Sequence, residues 1–328
     1  MKNFFKGKVY PNFKDIVILL GVFVISMLLS KLAVSLVSYF IGYPEGHRTL
    51  EITDDLLLSL AYILNFVLVI FFALIYRHQR AGLDDKPGSM LKRFKLVSPA
   101  YLLWGVILMV AASVVTEPVM CLFPKSMEKM YELMAGMGWI MVLTSVFIAP
   151  ILEELLFRGI VQGDITAKYG ATTGIFVSAV IFGLLHGNTA QGVSAFCTGL
   201  VLGFVFYRTH SLWAVIFLHF INNALAQVLF IFMPGKDLYL ESLRNIIGID
   251  WIYYIIYGIS LLLLIITVVK IIRLGQKNKN DENERSSQNI IGIENVEQNE
   301  ESEILFSQKE NRGEEVEQEG EKWRDVKF

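Results

Sequence analysis

Long apolar segments recur along the 328-residue chain and restrict its possible folds more than any other feature. Each segment approaches or exceeds the roughly 20 apolar residues with which an α-helix crosses a bilayer core. The composition agrees, because 54% of the residues are hydrophobic and the mean hydropathy is +0.51. We therefore predict an all-α polytopic membrane protein, a bundle of about eight transmembrane helices. The predicted spans are roughly Asp15–Phe40, Leu56–Tyr76, Ser98–Met120, Trp139–Phe157, Thr172–His186, Gly192–Tyr207, Leu212–Met233 and Trp251–Ile272.

Composition also divides the chain into three predicted parts. Residues 1–97 hold the first two spans and a basic cytoplasmic loop, residues 98–273 hold a membrane-embedded core, and residues 274–328 form a tail. From Gly275 to Phe328 there are 15 acidic and 8 basic residues, a net charge of −7. A segment of this composition cannot bury a core, so we predict a disordered acidic tail. The first apolar run is too long for a signal peptide and is expected to remain as a span.

Lysine and arginine are distributed unequally between the two sides of the predicted bundle. Seventeen lie in the N-terminal segment, at the start of the tail and in the connections after the second, fourth and sixth spans, against five in the other connections. Because cytoplasmic loops carry an excess of these residues, we predict that both termini are cytoplasmic. The frequent use of Lys, Ile, Phe and Asn is typical of an AT-rich bacterial genome, which predicts a bacterial cell membrane.

The stretch FIAPILEELLFRGIVQG, residues 147–163, places two carboxylates and an arginine in an otherwise apolar span. Glu154 and Arg158 are four residues apart and share a helix face, so they can form an ion pair. Glu153 is rotated about 100° away from that face. These residues could simply mark the cytoplasmic end of the span. Charged side chains inside a span are costly, however, and are functional candidates by default.

Two further polar sites follow along the chain. His186 comes four residues after Phe182 in FGLLHG, and His219 comes four residues before Asn223 in HFINN, so each pair shares a helix face. Taken alone, such a histidine more often serves packing. An asparagine of this kind can simply bond a neighbouring helix. A functional interpretation depends on whether these sites meet the glutamates.

A helical hairpin that turns at Gly170 would bring two of the sites together. Glu153 lies 17 residues before this glycine and His186 lies 16 residues after it. At 1.5 Å per residue, both would lie at nearly the same depth, about 24–26 Å from the turn. The hairpin requires the fourth helix to continue beyond Phe157, where its predicted span ends.

The converging groups would be a carboxylate, two imidazoles and an amide, a set that suits the chemistry of water. A carboxylate removed from bulk water is a stronger base, and a neighbouring imidazole can hold the water that it activates. Imidazole and amide N–H groups can stabilise an oxyanion. Together, these groups predict hydrolysis of an amide bond within or next to the membrane.

The three sites resemble the motifs of the CPBP family of intramembrane proteases, which includes the eukaryotic CAAX-processing endopeptidase and bacterial Abi-type proteins. The family motifs Glu-Glu-x-x-x-Arg, Phe-x-x-x-His and His-x-x-x-Asn occur here in order, and the resemblance covers roughly residues 139–232. It implies proteolysis of a membrane-bound substrate by about eight helices around a conical cavity that opens to the cytoplasm and to lipid. The matching residues are Glu153, Glu154, Arg158, Phe182, His186, His219 and Asn223.

The resemblance also implies a role for each of these residues. Glu153 would activate the water and His186 would hold it. His219 and Asn223 would form the oxyanion site, which completes the catalytic set. The supporting residues would be Glu154, Arg158 and Phe182.

Members of this family are often labelled metalloproteases, although a metal-free glutamate mechanism is also proposed for them. Glu153, His186 and His219 have the donor types of a His₂Glu zinc site. The sequence has no His-Glu-x-x-His motif, the usual helical zinc signature. We favour a reaction without metal or cofactor and keep zinc as the alternative.

Two other functions would use the same residue types. Intramembrane Glu, Arg and His also mark the proton relays of ion-coupled transporters, but the sequence shows no internal repeat or pair of broken spans. A non-catalytic immunity or scaffold protein of the same fold is the other alternative. The preferred function is an intramembrane endopeptidase that acts on a membrane-tethered protein or peptide, with no nucleic-acid partner. Prenylated CAAX proteins are the targets of the eukaryotic relatives, and a peptide precursor, pheromone or bacteriocin would suit a bacterium equally.

Overall fold

The regular structure of the described residues is entirely helical, as the apolar runs predict. A computed structural model describes residues 10–41, 49–81, 93–232, 235 and 240–276. The helices in these ranges are α1 Phe13–Ile41, α2 Thr49–Ala81, α3 Pro99–Met120, α4 Pro124–Ala135, α5 Trp139–Tyr169, α6 Ala171–Leu184, α7 Thr189–Thr209, α8 Leu212–Phe232, α9 Leu243–Ile247 and α10 Asp250–Gln276.

Within the described residues, seven helices are long and apolar enough to cross a membrane: α1, α2, α3, α5, α7, α8 and α10. Helix α6 has 14 residues and is about 21 Å long, less than the roughly 30 Å of a bilayer core. Helix α6 lies where the span over roughly Thr172–His186 is predicted, but it is shorter than the seven helices that can cross the whole core. Apolar side chains continue to Leu185, but the helix ends at Leu184, ahead of a turn in which Gly187 has a φ of +67°.

The seven long helices and the short α6 between α5 and α7 alternate in direction along the chain. Contacts between their ends define one end of the bundle, which we call the basic end. The start of α1 meets the end of α5 there, the start of α3 meets the corner between α7 and α8, and the end of α7 meets α10. These contacts join Lys168 Nζ to the Pro11 carbonyl at 2.8 Å, Ser211 Oγ to the Lys95 carbonyl at 2.5 Å and Arg208 to the Ile272 carbonyl at 2.8 Å. The start of α1 and Ile272 therefore lie at the same end.

Helix α5 is continuous over 31 residues and contains two π-helical segments, Thr144–Ile148 and Leu155–Gln162. The first segment directly precedes the turn that contains Pro150. Proline has no backbone N–H, and its ring clashes with the carbonyl four residues earlier, so a widened turn accommodates it. The second segment directly follows Glu154. Such segments are frequent at functional sites, and here they flank the two glutamates.

The turn between α5 and α6 lies at Gly170, where the sequence predicts it. Gly170 has a φ of +88°, which residues with a Cβ rarely adopt. Helix α5 passes Phe157 and ends at Tyr169, and α6 begins at the next residue after the glycine. The predicted hairpin is confirmed. It places Glu153 and His186 on neighbouring antiparallel segments.

Helices α6 and α7 pack closely through small residues. A Cβ added to Gly183 would lie 2.7 Å from the carbonyl oxygen of Gly192, and a Cβ added to Gly199 would lie 3.1 Å from the Cα and Cβ atoms of Ala179. Small side chains of this kind let two backbones approach inside a membrane. The short loop that joins α6 to α7 and carries His186 is held by this contact.

Helix α2 fixes the start of α5. Asp55 Oδ2 accepts hydrogen bonds from the backbone N–H groups of Ile140 at 2.8 Å and Met141 at 3.0 Å. These N–H groups lie in the first turn of α5, where a helix offers them no internal acceptor. A negative charge at this position also suits the helix dipole. The two helices are therefore held in a defined register.

The chain forms two compact units, Met1–Ile272 and Arg273–Phe328. Of the second unit, the structure describes only residues 273–276, which belong to α10. The predicted acidic tail lies outside the described residues from position 277 onward. Its disorder stays a prediction.

Candidate active site

A buried ion pair on α5 forms the centre of the site. Arg158 donates a hydrogen bond to Glu154 Oε1 at 2.8 Å, and neither side chain is accessible to solvent. The pairing that the spacing predicts is therefore confirmed. Arg158 also donates to the carbonyl of Gly199 at 3.3 Å, which ties α5 to α7. A buried guanidinium needs such acceptors, because an unpaired charge in a dry interior is strongly destabilising.

His219 of α8 joins this pair through its Nδ1 atom, which lies 2.8 Å from Glu154 Oε1. An ionised carboxylate only accepts hydrogen bonds, so Nδ1 carries the hydrogen and Nε2 points away from Glu154. Glu154 thus accepts two N–H donors at one oxygen, while its Oε2 has no hydrogen-bond partner within the described part of the chain. Glu154 therefore fixes both the orientation and the tautomer of the His219 ring.

Glu153 is the next residue along α5 but has different partners. The hydroxyl of Tyr62, on α2, donates to Glu153 Oε1 at 2.5 Å. The other carboxylate oxygen, Oε2, lies 3.6 Å from His219 Nε2. This separation is too long for a direct hydrogen bond, but one water molecule can bridge it. One oxygen of Glu153 is therefore held, and the other faces an imidazole.

The ring of Phe182, on α6, contacts three functional side chains. It lies edge to face with His186 at a centroid distance of 4.8 Å and with His219 at 5.8 Å. The guanidinium carbon of Arg158 lies 4.8 Å from its centroid. Both arrangements suit the charge distribution of an aromatic ring. Because Phe182 is only 2% exposed, its packing restricts the positions of both imidazoles.

His186 lies in the turn after α6 and is half-buried. Its Nδ1 is 2.7 Å from the carbonyl oxygen of Phe182, which can only accept, so Nδ1 donates and Nε2 remains an acceptor. The sequence predicts this histidine inside a span, whereas it lies two residues beyond the last helical residue, Leu184. The turn nevertheless places its ring against the ring of Phe182.

Asn223 lies one helical turn after His219 on α8. Its Nδ2 donates to the carbonyl of Ser145 at 2.9 Å, in the first π-helical segment of α5. Its Oδ1 accepts from Asn222 at 3.3 Å. A side-chain amide has two N–H groups, so the bond to Ser145 leaves a second donor. Asn223 is therefore both a link between α8 and α5 and a candidate donor to a substrate.

The predicted site residues form one network of contacts. Glu153 faces His219 across 3.6 Å, and the Phe182 ring contacts both His219 and His186. Asn223 reaches the network through Ser145 of α5. The remaining members of the network are Glu154, Arg158 and Phe182.

Tyr62 is a member of the site that the sequence analysis missed. The signal that could have found it is a polar stripe along α2, which is otherwise apolar. Asp55, Ser59, Tyr62 and Asn65 are spaced by four, three and three residues, so they lie on one helix face. A polar face inside a span points toward other helices rather than toward lipid.

The alternative zinc set consists of Glu153, His186 and His219. The donor types suit zinc. In both histidines Nδ1 donates its hydrogen to an oxygen acceptor, as one ring nitrogen of a metal-binding histidine commonly does. Among the described residues, however, no group of three or more His, Cys, Asp or Glu side chains is arranged to hold a metal ion. The side chains in this conformation do not fit a zinc site, so no step below involves a metal. The metal-free reaction stays a prediction.

Comparisons with known proteins agree with the motif resemblance. Residues 135–225 match the family model described as type II CAAX prenyl endopeptidase Rce1-like, so the predicted resemblance is confirmed for the segment with all three motifs. The chain is also similar to "Putative membrane peptidase YdiL" of Bacillus subtilis (strain 168), with 30% identity over 106 residues. That match covers 32% of this chain and 40% of the relative. No solved structure matches the chain significantly.

Proposed function

We propose that this multi-pass membrane protein is an intramembrane endopeptidase that hydrolyses a peptide bond of a membrane-associated protein or peptide. The observation that carries the proposal is the arrangement of Glu153, with Oε1 held by Tyr62 and Oε2 facing His219 Nε2 across 3.6 Å. The similarity of residues 135–225 to CAAX prenyl endopeptidases supports this class of reaction. The adjacent buried ion pair of Glu154 and Arg158 holds the surrounding side chains in position.

In the proposed first step, Glu153 Oε2 accepts a proton from a water molecule. His186 helps to hold this water, because its Nδ1 is committed to the Phe182 carbonyl and its Nε2 can accept the second O–H. The water oxygen attacks the peptide carbonyl carbon, and a carbon–oxygen bond forms. A positioned general base of this kind contributes roughly 10²–10⁴ to the rate.

In the second step, two donors stabilise the oxyanion of the tetrahedral intermediate. Asn223 supplies its second amide N–H. His219 donates from Nε2 in its doubly protonated form, because its Nδ1–H is committed to Glu154. The carbon–nitrogen bond then breaks, and Glu153 transfers its proton to the leaving amine. The other water proton stays with the new carboxyl group.

The test uses purified protein in lipid vesicles with membrane-anchored reporter peptides, one set prenylated and one set anchored by an apolar helix. Mass spectrometry of the products identifies the cleaved bond. Glu153→Gln removes the base and keeps the shape, so the rate should fall by roughly 10²–10⁴ with the protein level unchanged. Glu241→Gln, an exposed carboxylate in the connection between α8 and α10, is the matched control and should keep full activity.

Elemental analysis and chelation of the same sample test the metal-free reaction. Active protein should contain no stoichiometric metal and should keep its activity in excess chelator. About one zinc per chain, with chelator-sensitive activity that Zn²⁺ restores, would replace the glutamate mechanism by the zinc alternative. Wild-type protein that cleaves neither reporter set would contradict the protease proposal and favour a transporter or a non-catalytic protein.

We propose further that the basic end of the bundle faces the cytoplasm. The excess of lysine and arginine in the connections at this end supports the orientation, since cytoplasmic loops are enriched in these residues. Both chain termini would then be cytoplasmic. Reporter fusions placed after Lys279 should be inactive when the reporter requires export, and an exported reporter would contradict this orientation.

A further inference from the structure

The geometry points to Tyr62 of α2 as a positioning residue for the glutamate that activates water. Its hydroxyl donates to Glu153 Oε1 at 2.5 Å. The inference rests on the proposed role of Glu153 as the general base. It adds to the active site a residue that lies outside residues 135–225, the segment that matches the family model.

The direction of the Tyr62 hydroxyl is set by the packing of its ring. The ring centroid lies 4.9 Å from that of Phe66, one helical turn later, and Phe66 in turn lies edge to face with Phe23 of α1 at 5.5 Å. Phe66 is only 4% exposed, so this stack cannot shift freely. The hydroxyl therefore approaches Glu153 from a fixed side.

The backbone of Tyr62 is fixed relative to α5 as well. Two turns earlier on α2, Asp55 accepts two N–H groups from the first turn of α5. Between these positions, the Ser59 hydroxyl donates to the Met141 sulfur at 3.4 Å. Helix α2 is thus attached to α5 at its start and presents Tyr62 to Glu153 further along.

This contact decides which carboxylate oxygen is available for the reaction. Tyr62 occupies Oε1 and sets the plane of the carboxylate, so that Oε2 faces His219 Nε2. A general base must reach the proton that it removes within about 2.6–3.2 Å, so a rotated carboxylate loses rate even when it remains ionised. Without the hydroxyl, the Glu153 carboxylate could rotate, and Oε2 could turn away from the water that it has to deprotonate.

The first measurement compares Tyr62→Phe with wild type in the reporter assay. Loss of a hydrogen bond to a charged group should lower kcat about 10-fold. KM should stay unchanged, because a positioning residue acts on the reaction through Glu153. Tyr76→Phe is the matched control, since Tyr76 is also on α2 and its hydroxyl also donates to a carboxylate, that of Asp15. The control should keep kcat within about twofold of wild type.

A second measurement does not depend on cleavage. Infrared difference spectra against Glu153→Gln identify the carboxyl band of Glu153, whose frequency responds to the hydrogen bond at Oε1. This band should shift in Tyr62→Phe and stay in place in Tyr76→Phe. An inactive wild-type protein would contradict the proposed function. The infrared band would then still show whether Tyr62 forms its hydrogen bond to Glu153.

Two results would overturn the inference. One is an unchanged Glu153 band in Tyr62→Phe, whether or not the protein cleaves a reporter. The other is an equal fall of kcat in Tyr62→Phe and Tyr76→Phe, which would indicate a general effect of weakening α2. A rise in KM with an unchanged kcat would also count against a positioning role.

Discussion

Asp15 and Glu153 are both buried carboxylates that accept a hydrogen bond from a tyrosine of α2, but they differ in how completely their oxygens are used. At the basic end, Asp15 Oδ1 accepts from the Tyr76 hydroxyl at 2.7 Å and from Arg80 Nε at 3.1 Å. Its Oδ2 accepts from the backbone N–H of Asn12 at 2.7 Å, as part of a capping arrangement at the start of α1. Both oxygens of Asp15 therefore have donors.

Glu153 has one donor in the described structure, the Tyr62 hydroxyl at Oε1. Its second oxygen faces the His219 ring at a distance that a water molecule can bridge. Two tyrosines of α2 thus each donate to a carboxylate on another helix. Both oxygens of Asp15 have a hydrogen-bond donor, whereas one oxygen of Glu153 has none in the described structure. A carboxylate with satisfied oxygens stabilises the fold, whereas one with an open oxygen can accept a proton during a reaction.

The comparison predicts that residues around the open oxygen affect rate more than stability. His219→Ala and Asn223→Ala should each lower kcat by roughly 10²–10³, the cost of losing one oxyanion donor in a well-studied case. Thermal unfolding in detergent should change much less than activity for Asn223→Ala. The measurement is kcat in the vesicle assay, together with the unfolding midpoint of each variant.

Asn222→Ala is the matched control for Asn223→Ala. Asn222 is the preceding residue on α8 and has the same side chain, but its amide donates to Asn223 Oδ1, at 3.3 Å, and not to the α5 backbone that Asn223 contacts. It should keep activity within a few-fold of wild type. Equal losses for the two asparagines would contradict a specific oxyanion role for Asn223.

Arg158 tests the frame that surrounds the open oxygen. Arg158→Met leaves Glu154 buried with His219 as its remaining partner, so the free energy of unfolding should fall by about 3–5 kcal/mol and activity should fall with it. In the double variant with Glu154→Gln, the unpaired charge is gone, and much of the lost stability should return. A single variant that unfolds like wild type would show that the ion pair does not hold the site together.

The sequence predicts much of the fold because local signals control it. Apolar length indicates the spans, and Gly170 indicates the hairpin. The predicted span over Thr172–His186 agrees with α6 within two residues, but hydropathy does not show that the helix ends before His186. The π-helical segments of α5 are a second difference, since they depend on how Pro150 and the neighbouring helices are accommodated.

The motif residues of the site are predictable because each motif lies on one helix face, as Glu154 with Arg158 illustrates. Contacts between helices are not encoded in such spacing. Tyr62 lies 91 residues before Glu153 and carries no motif, and only the polar stripe on α2 hints at its inward orientation. The proximity of Asn223 to Ser145 likewise depends on how α8 packs against α5.

The smallest effect that we predict concerns the basic end, where a change should act on stability alone. Asp15→Asn keeps the shape but turns part of an acceptor into a donor that faces the N–H groups of Asn12 or Arg80. The free energy of unfolding should fall by about 1–3 kcal/mol, the cost of a buried group left without its partner. The kcat of the folded fraction should stay within about twofold of wild type.

Asp15→Asn and Glu153→Gln are the same chemical change at the two carboxylates, so together they test the comparison directly. Asp15→Asn should lower the unfolding midpoint and spare kcat, and Glu153→Gln should spare the midpoint and remove kcat. Glu153 has an open oxygen in the described structure, so replacing it removes no network of donors that the fold requires. If both variants lost activity in proportion to stability, the number of satisfied oxygens would not distinguish a structural carboxylate from a reactive one in this protein.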